Sequence, residues 1–342
     1  MSFTATAISA VERVAWPDSL TRAGVAYLCG RSAAELAAVP AGAAAEFARS
    51  MVDRPVAEHT DAANTQHYEL PPEFFAQVLG PRRKYSSCLY PKGSETLEEA
   101  EVLALDETMA HAELRDGHRI LELGCGWGSL SLTMAERFPE SSITAISNSR
   151  PQRQFIEAQA AARGFKNLTV ITADMNAFVP QGLFDRIVSV EMFEHMANWR
   201  TLLGRVRAWL APGGKFFMHV FSHVGTPYRF DTGNDADWIA RHFFTGGIMP
   251  SHDLIRQFSD LFTVEEDWRW SGSHYERTAA QWLENFDMNV GAIDPVLRQV
   301  YGGDARLWRR RWRLFFLATE GLFGHAGGSV WGVSHYRMRA TA

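Results

Sequence analysis

The ten residues at 119–128, Arg-Ile-Leu-Glu-Leu-Gly-Cys-Gly-Trp-Gly, constrain this chain more than any other stretch. An apolar run ends in an acid, and glycine then recurs at every second position, Gly124, Gly126 and Gly128. Such a run reads as strand, tight turn and helix start, with the turn's backbone open to close approach by a ligand. The spacing is not that of the dinucleotide fingerprint, whose last two glycines stand three apart so that a helix N-terminus faces a pyrophosphate.

The segments that follow alternate strand and helix signals. Strands are expected at 119–123, 143–147, 168–172, 184–190 and 215–221, and helices at 129–138, 151–163 and 198–210. That period means βαβ units and a parallel sheet with helices on both faces. Ala211-Pro-Gly-Gly reads as a turn, and 264–270 and 330–338 as two last strands, with helices at 278–289 and 305–323 between them. Residues 223–262 lose the alternation and read as an insertion over the ligand edge. The Ala-rich leader, 1–60, reads as two amphipathic helical stretches separated by Pro40 and Gly42. The division expected is an N-terminal helical extension at 1–110 and an α/β core at 111–342, with helical additions near 275–325. In open α/β sheets ligands bind beyond the carboxyl ends of the strands. Glu122 stands there, and it suits a ligand that lacks phosphate but carries a cationic amino-acid tail. S-adenosylmethionine is such a ligand.

A net charge of −5 supplies no global basic field, so nucleic acid is not an expected partner. The three cysteines, Cys29, Cys88 and Cys125, are too few and too scattered for a disulfide framework or zinc cluster, which points to a reducing, cytoplasmic setting. No run of 18 apolar residues offers a membrane span, while peripheral lipid contact and a homo-oligomer stay open.

Several further segments carry a family resemblance: His67-Tyr-Glu-Leu-Pro, Lys84-Tyr-Ser-Ser-Cys, Thr96-Leu-Glu-Glu-Ala-Glu, Glu191-Met-Phe-Glu-His-Met, Phe243-Phe-Thr-Gly-Gly-Ile-Met-Pro-Ser and Gly272-Ser-His-Tyr. With the glycine run they make residues 65–340 resemble the cyclopropane-fatty-acid-synthase-like branch of class I methyltransferases, and especially the coclaurine-type N-methyltransferases. The resemblance implies a Rossmann-like core with a mostly parallel seven-stranded sheet, a helical lid and S-adenosylmethionine as methyl donor. Most class I methyltransferases hold the ribose with an acid after the second strand; here Ser147 and Asn148 stand there instead, and the resemblance gives that task to Gln152. It places Asp174, Met175 and Asn176 at the adenine, and Tyr85 and Ser86 over the methionine end, with Glu122, Gly124, Gly126 and Val190 completing the donor site.

Methyl transfer from a sulfonium is an in-line displacement that requires a free lone pair on the acceptor. An alkylamine is mostly protonated at neutral pH and must lose a proton first. Glu191, Glu194 and His195 stand just past the fourth strand, and on a helical turn they would share one face. The resemblance assigns the base to the Glu194–His195 pair, with Glu191 nearer the donor. No metal is expected. Trp238, Phe243, Phe244, Tyr275, Phe316 and Trp331 are candidate walls of an acceptor pocket, where a cation would gain about 0.5–2 kcal/mol from a ring face. The basic run from Trp308 to Arg313 reads as a solvated helix face with an inward aromatic stripe.

Two alternatives remain beside a small-amine N-methyltransferase. One is a synthase forming cyclopropane or methyl branches on unsaturated phospholipid chains; the resemblance implies that such synthases bind bicarbonate as the base with a cysteine directly after Tyr-Ser, and weighs against this reading because that position is Ser87 here, with Cys88 one place on. The other is a non-catalytic adenosyl-ligand binder, which the intact glycines and Glu-His pair disfavour.

Overall fold

The computed structural model describes residues 12, 14, 16–58, 70–233 and 237–342. His67, Tyr68 and Glu69 lie outside the described residues.

Five parallel strands, β1 (Arg119–Leu123), β2 (Ser142–Ser147), β3 (Leu168–Thr172), β4 (Phe184–Val190) and β5 (Leu210–His223), form most of the main sheet. The two short strands β6 (Tyr228–Arg229) and β7 (Ile248–Met249) pair with each other in the insertion. The last two, β8 (Phe262–Ser271) and β9 (Trp331–Ala340), close the main sheet antiparallel, in the order β3-β2-β1-β4-β5-β9-β8. β1 is buried on both faces after its first residue, as a central parallel strand requires.

The helices between these strands begin and end on local chemistry. Thr96 and Glu99 form a reciprocal capping box for Leu97–His111. The Ser149 hydroxyl caps Arg150–Arg163, and Gly164 ends that helix at φ 75°. Ala211-Pro-Gly-Gly, expected as a turn, lies within β5, which starts at Leu210; a register shift against β4 absorbs it, with Gly213 at φ 77°. The helix expected at 278–289 begins at Gly272 and ends at Met288, because Ser271 caps its start. A helix over Val290–Tyr301 was not expected from sequence.

The Arg-rich run occupies Ala305–Gly324, whose Trp312 and Phe316 are fully buried as the stripe implied. Its arginines do not form a simple solvated face. Arg313 reaches both Asp18 (2.6 Å) and Asp287 (2.8 Å), Arg309 reaches Asp294 (2.9 Å), and Arg311 reaches Glu12 (3.0 Å). Positive charge on this helix thus ties down the N-terminal helix Asp18–Ala37 and its neighbours. No helix of the described residues is long and apolar enough to cross a membrane.

Candidate active site

The turn after β1 takes the backbone shapes that glycine permits. Gly124 sits at φ 81°, and a Cβ there would lie 2.6 Å from the Met192 side chain. Gly126, at φ 51°, would meet nothing within 4 Å, so its backbone borders open space. That space is a cleft open to solvent at the carboxyl ends of the parallel strands.

Every expected donor-site residue lines this cleft except Asn176. The Asn176 side-chain amide instead bonds the backbone of Ala57 twice, accepting from its N–H and donating to its carbonyl, each at 3.1 Å. It thereby pins the segment carrying Ala57 and Glu58 against the cleft. Those two residues, with Lys84, Cys125, Trp127 and Met196, were missed from sequence and also line the wall.

The chemistry of the lining fits S-adenosylmethionine. The Glu122 carboxyl is 2% exposed, accepts a short hydrogen bond from the Ser131 hydroxyl, and is pushed up to about 7 by burial. A carboxyl held in this way gains a partner when an ammonium arrives. The Ser147 hydroxyl donates to Gln152 Oε1 at 2.7 Å, which fixes the amide, and Gln152 Nε2 is buried with no partner among the described residues. That orphaned donor matches a ribose oxygen.

At the end of β4 the backbone departs from expectation. Glu191 adopts φ 47°, outside any helix, and only Phe193–His195 form a short 3-10 turn. The three candidate catalytic residues therefore do not share a helix face. Glu191 and His195 line the cleft, and Glu194 does not. Glu194 is fully buried, with Oε1 accepting from the Phe221 N–H at 2.7 Å and Oε2 unpartnered among the described residues. Burial, reinforced by the Glu191 charge, holds its carboxyl well above the usual range.

Glu191 is held by three elements. Its Oε1 accepts from the Ser87 N–H (2.9 Å) and meets His219 Nε2 (3.1 Å), while Oε2 accepts from the Tyr275 hydroxyl (2.7 Å). Burial raises its carboxyl, opposed by the nearby Lys84 charge. The Lys84 ammonium is itself buried and donates to the Ser86 hydroxyl and the Ser87 carbonyl, each at 2.5 Å. His195 is lowered to about 4 by burial, so its imidazole is neutral at pH 7, and its ring stacks on Phe244 at 4.6 Å.

Of the expected acceptor walls, Phe244 and Tyr275 thus touch site residues, although neither lines the cleft itself. The other four pack elsewhere. Phe243 stacks on Phe315 at 4.4 Å, Phe316 and Trp331 are fully buried in the same aromatic core, and the Trp238 indole N–H donates to Glu12. Their size fills the space between the helical layer and the sheet, so packing explains them.

A sheet of this order, with a glycine-lined cleft beyond β1 bordered by Glu122 and Gln152, defines a class I S-adenosylmethionine-dependent methyltransferase. Within that class the chain belongs to the mycolic acid cyclopropane synthetase family, whose pattern matches residues 57–328. It is 34% identical over 285 residues to (S)-coclaurine N-methyltransferase of Thalictrum flavum subsp. glaucum, covering 82% of this chain and 79% of that one. It is also 34% identical, over 223 residues, to the cyclopropane-fatty-acyl-phospholipid synthase of Escherichia coli (strain K12), covering 65% of this chain and 55% of the synthase. The crystal structure of coclaurine N-methyltransferase bound to N-methylheliamine and SAH superposes with a TM-score of 0.94 at 28% identity, covering 98% of this chain and 99% of that one.

Proposed function

We propose that this enzyme methylates the nitrogen of a small amine of aromatic or alkaloid-like character. The observation that carries the reading is the whole-chain likeness to coclaurine N-methyltransferase, over 98% of this chain and 99% of that structure. The lipid-modifying reading has a weaker likeness behind it, a TM-score of 0.69 at 21% identity to the cyclopropane synthase MmaA2 from Mycobacterium tuberculosis, against 0.94. Cys88 gives it no local support, since its thiol is buried, points to the Ser86 carbonyl at 3.7 Å and is pushed up to about 12.

In this reading Gln152 and Ser147 hold the ribose, Asp174 and Met175 border the adenine, and Glu122 with the backbone of Gly124 and Gly126 receives the amino-acid end. Tyr85 and Ser86 cover the same end, and Val190 and Asn148 complete the wall. Bound S-adenosylmethionine supplies an electrophilic methyl group on sulfur. The chain's own task is to present an acceptor nitrogen in line with it and to remove a proton. His195 and Glu191, at the cleft wall, take that proton, with Glu194 buried behind them. A neutral imidazole has the lone pair the task requires, and desolvation beside a sulfonium lowers the amine's own pKa toward it.

The test is incubation with methyl-labelled S-adenosylmethionine and either a panel of cyclic and aromatic amines or unsaturated phospholipid vesicles, with and without bicarbonate. Label on amine nitrogen supports the reading. Bicarbonate-dependent label in lipid, with none in amines, overturns it.

A further inference from the structure

Behind Glu191 a line of three buried histidines runs from the cleft to the surface. His219 stands on β5 directly opposite His335 on β9, and His335 meets His111 at the end of the Leu97–His111 helix. The successive gaps are Glu191 Oε1 to His219 Nε2, 3.1 Å; His219 Nδ1 to His335 Nε2, 2.8 Å; His335 Nδ1 to His111 Nδ1, 2.9 Å; and His111 Nε2 to Glu107 Oε1, 3.0 Å. Each ring uses both nitrogens, one toward the cleft and one toward the surface. The Glu107 side chain is 44% exposed, whereas His219 and His335 are fully buried.

From this geometry we infer that His219, His335 and His111 form a proton relay that carries the proton released in methyl transfer from Glu191 to Glu107 and solvent. The inference rests on the amine reading, in which a protonated amine and a sulfonium give a methylated ammonium, a neutral thioether and one free proton. Ligands that fill the cleft displace most of the water that could otherwise take that proton.

The surroundings suit the task. His111 stacks on Trp268 at 3.6 Å, His335 packs against Trp270 and Phe217, and His219 lies edge-on to Trp270. These rings exclude water, so the nitrogen-to-nitrogen gaps are the route offered. Charged groups near the line are Lys84 at the inner end and Glu107, Glu266 and Arg337 at the outer end. Among the described residues no His, Cys, Asp or Glu trio is arranged to hold a metal, consistent with rings set in a line rather than around a point.

The proton count balances at each step. Glu191 Oε1–H gives its proton to His219 Nε2, His219 Nδ1–H to His335 Nε2, His335 Nδ1–H to His111 Nδ1, and His111 Nε2–H to Glu107. Each imidazole stays neutral overall and changes tautomer. When products leave, a proton taken up from solvent at Glu107 passes back inward, resetting each tautomer, and Glu191 discharges to the water that enters the open cleft.

The experiment measures single-turnover methyl transfer and proton release, with a pH indicator, in the parent and in H335F, H111A and E107Q. The relay predicts kcat lower by about tenfold or more in H335F and H111A with donor KM unchanged, within the range of general acid–base effects. Added imidazole should restore H111A, whose vacated site opens toward Glu107, and leave H335F slow. If H335F fails to fold, H111A and E107Q carry the test. Parent-like kcat in the folded variants, or a slow H111A that imidazole does not restore, overturns the relay. A parent that methylates no amine overturns the amine reading instead. In that case ¹⁵N-histidine spectra decide the relay, since E107Q must then shift the His219 tautomer balance, and an unchanged balance rejects it.

Discussion

Glu122 is the group at which donor binding and stability pull in opposite directions. Its carboxyl rises from the usual 4.5 to about 7, desolvation being the cause and the Ser131 hydrogen bond opposing it. A carboxyl raised in the folded state makes the native protein bind more protons than the unfolded chain between those two values. Stability therefore falls as pH rises through that window, and the loss stays constant above about 7. At about 1.4 kcal/mol per pH unit the full cost is about 3 kcal/mol. Glu122→Gln keeps an acceptor for Ser131 and removes the ionisation. The ligand-free variant should gain up to about 3 kcal/mol over the parent at pH 8 and nothing at pH 4.5, read by chemical denaturation. The same substitution removes the partner of the donor's ammonium, so calorimetric affinity for S-adenosylmethionine should drop by about tenfold or more. In the parent, donor binding should release close to one proton at pH 5.5, and the release should disappear as pH rises through about 7, measured in buffers of different ionisation enthalpy. Equal stability of the two proteins at pH 8, with no proton release at pH 5.5, would refute the reasoning.

Three other substitutions follow from the geometry. Gly124→Ala adds a Cβ 2.6 Å from Met192 at φ 81°, and should cost at least about 1–2 kcal/mol by denaturation together with most donor affinity; unchanged affinity would contradict the cradle. His195→Asn should lower kcat by about 10²-fold with the donor Kd within a few-fold of the parent; because burial holds His195 near 4, the parent's kcat should show no inflection from it between pH 6 and 8. Asn176→Ala removes both bonds to Ala57, worth about 1–3 kcal/mol locally, and should speed proteolytic cleavage near residues 57–58 and weaken donor binding; a cleavage rate equal to the parent's would argue against the pinning role.

The parallel core was legible in the sequence for a physical reason. β1, β3 and β4 begin and end at the expected residues: β1, buried on both faces after Arg119, reads as an apolar run, while the edge strand β3 and the mixed β4 are marked by their β-branched and aromatic residues. β5 did not, since Pro-Gly-Gly marks a turn locally while the sheet tolerates it as an irregularity beside β4. The Val290–Tyr301 helix was hidden by Gly291 and the internal Pro295, both helix-weakening. In the site, Gly124, Gly126, Glu122 and Gln152 sit on short local motifs, and they line the cleft. Glu191 was named but given the wrong backbone, because nothing local marks a non-glycine residue at φ 47°. The role of Asn176 depends on Ala57, 119 residues away, and the histidine line depends on cross-strand register, neither of which a linear pattern records. The aromatic candidates failed as pocket walls for the opposite reason: large rings serve cores and pockets equally, and only position separates the two.

The central claim is that the cleft beside Gly124 and Gly126 brings a sulfonium methyl donor and an amine nitrogen together in front of Glu191 and His195. A crystal structure of the chain with S-adenosylhomocysteine and a cyclic secondary amine tests it most directly. The account predicts the nucleoside against Gln152 and Met175, and the amine nitrogen within about 3 Å of His195 or Glu191, directly or through one water. An amine bound away from both groups, or a nucleoside seated outside the glycine turn, would contradict it.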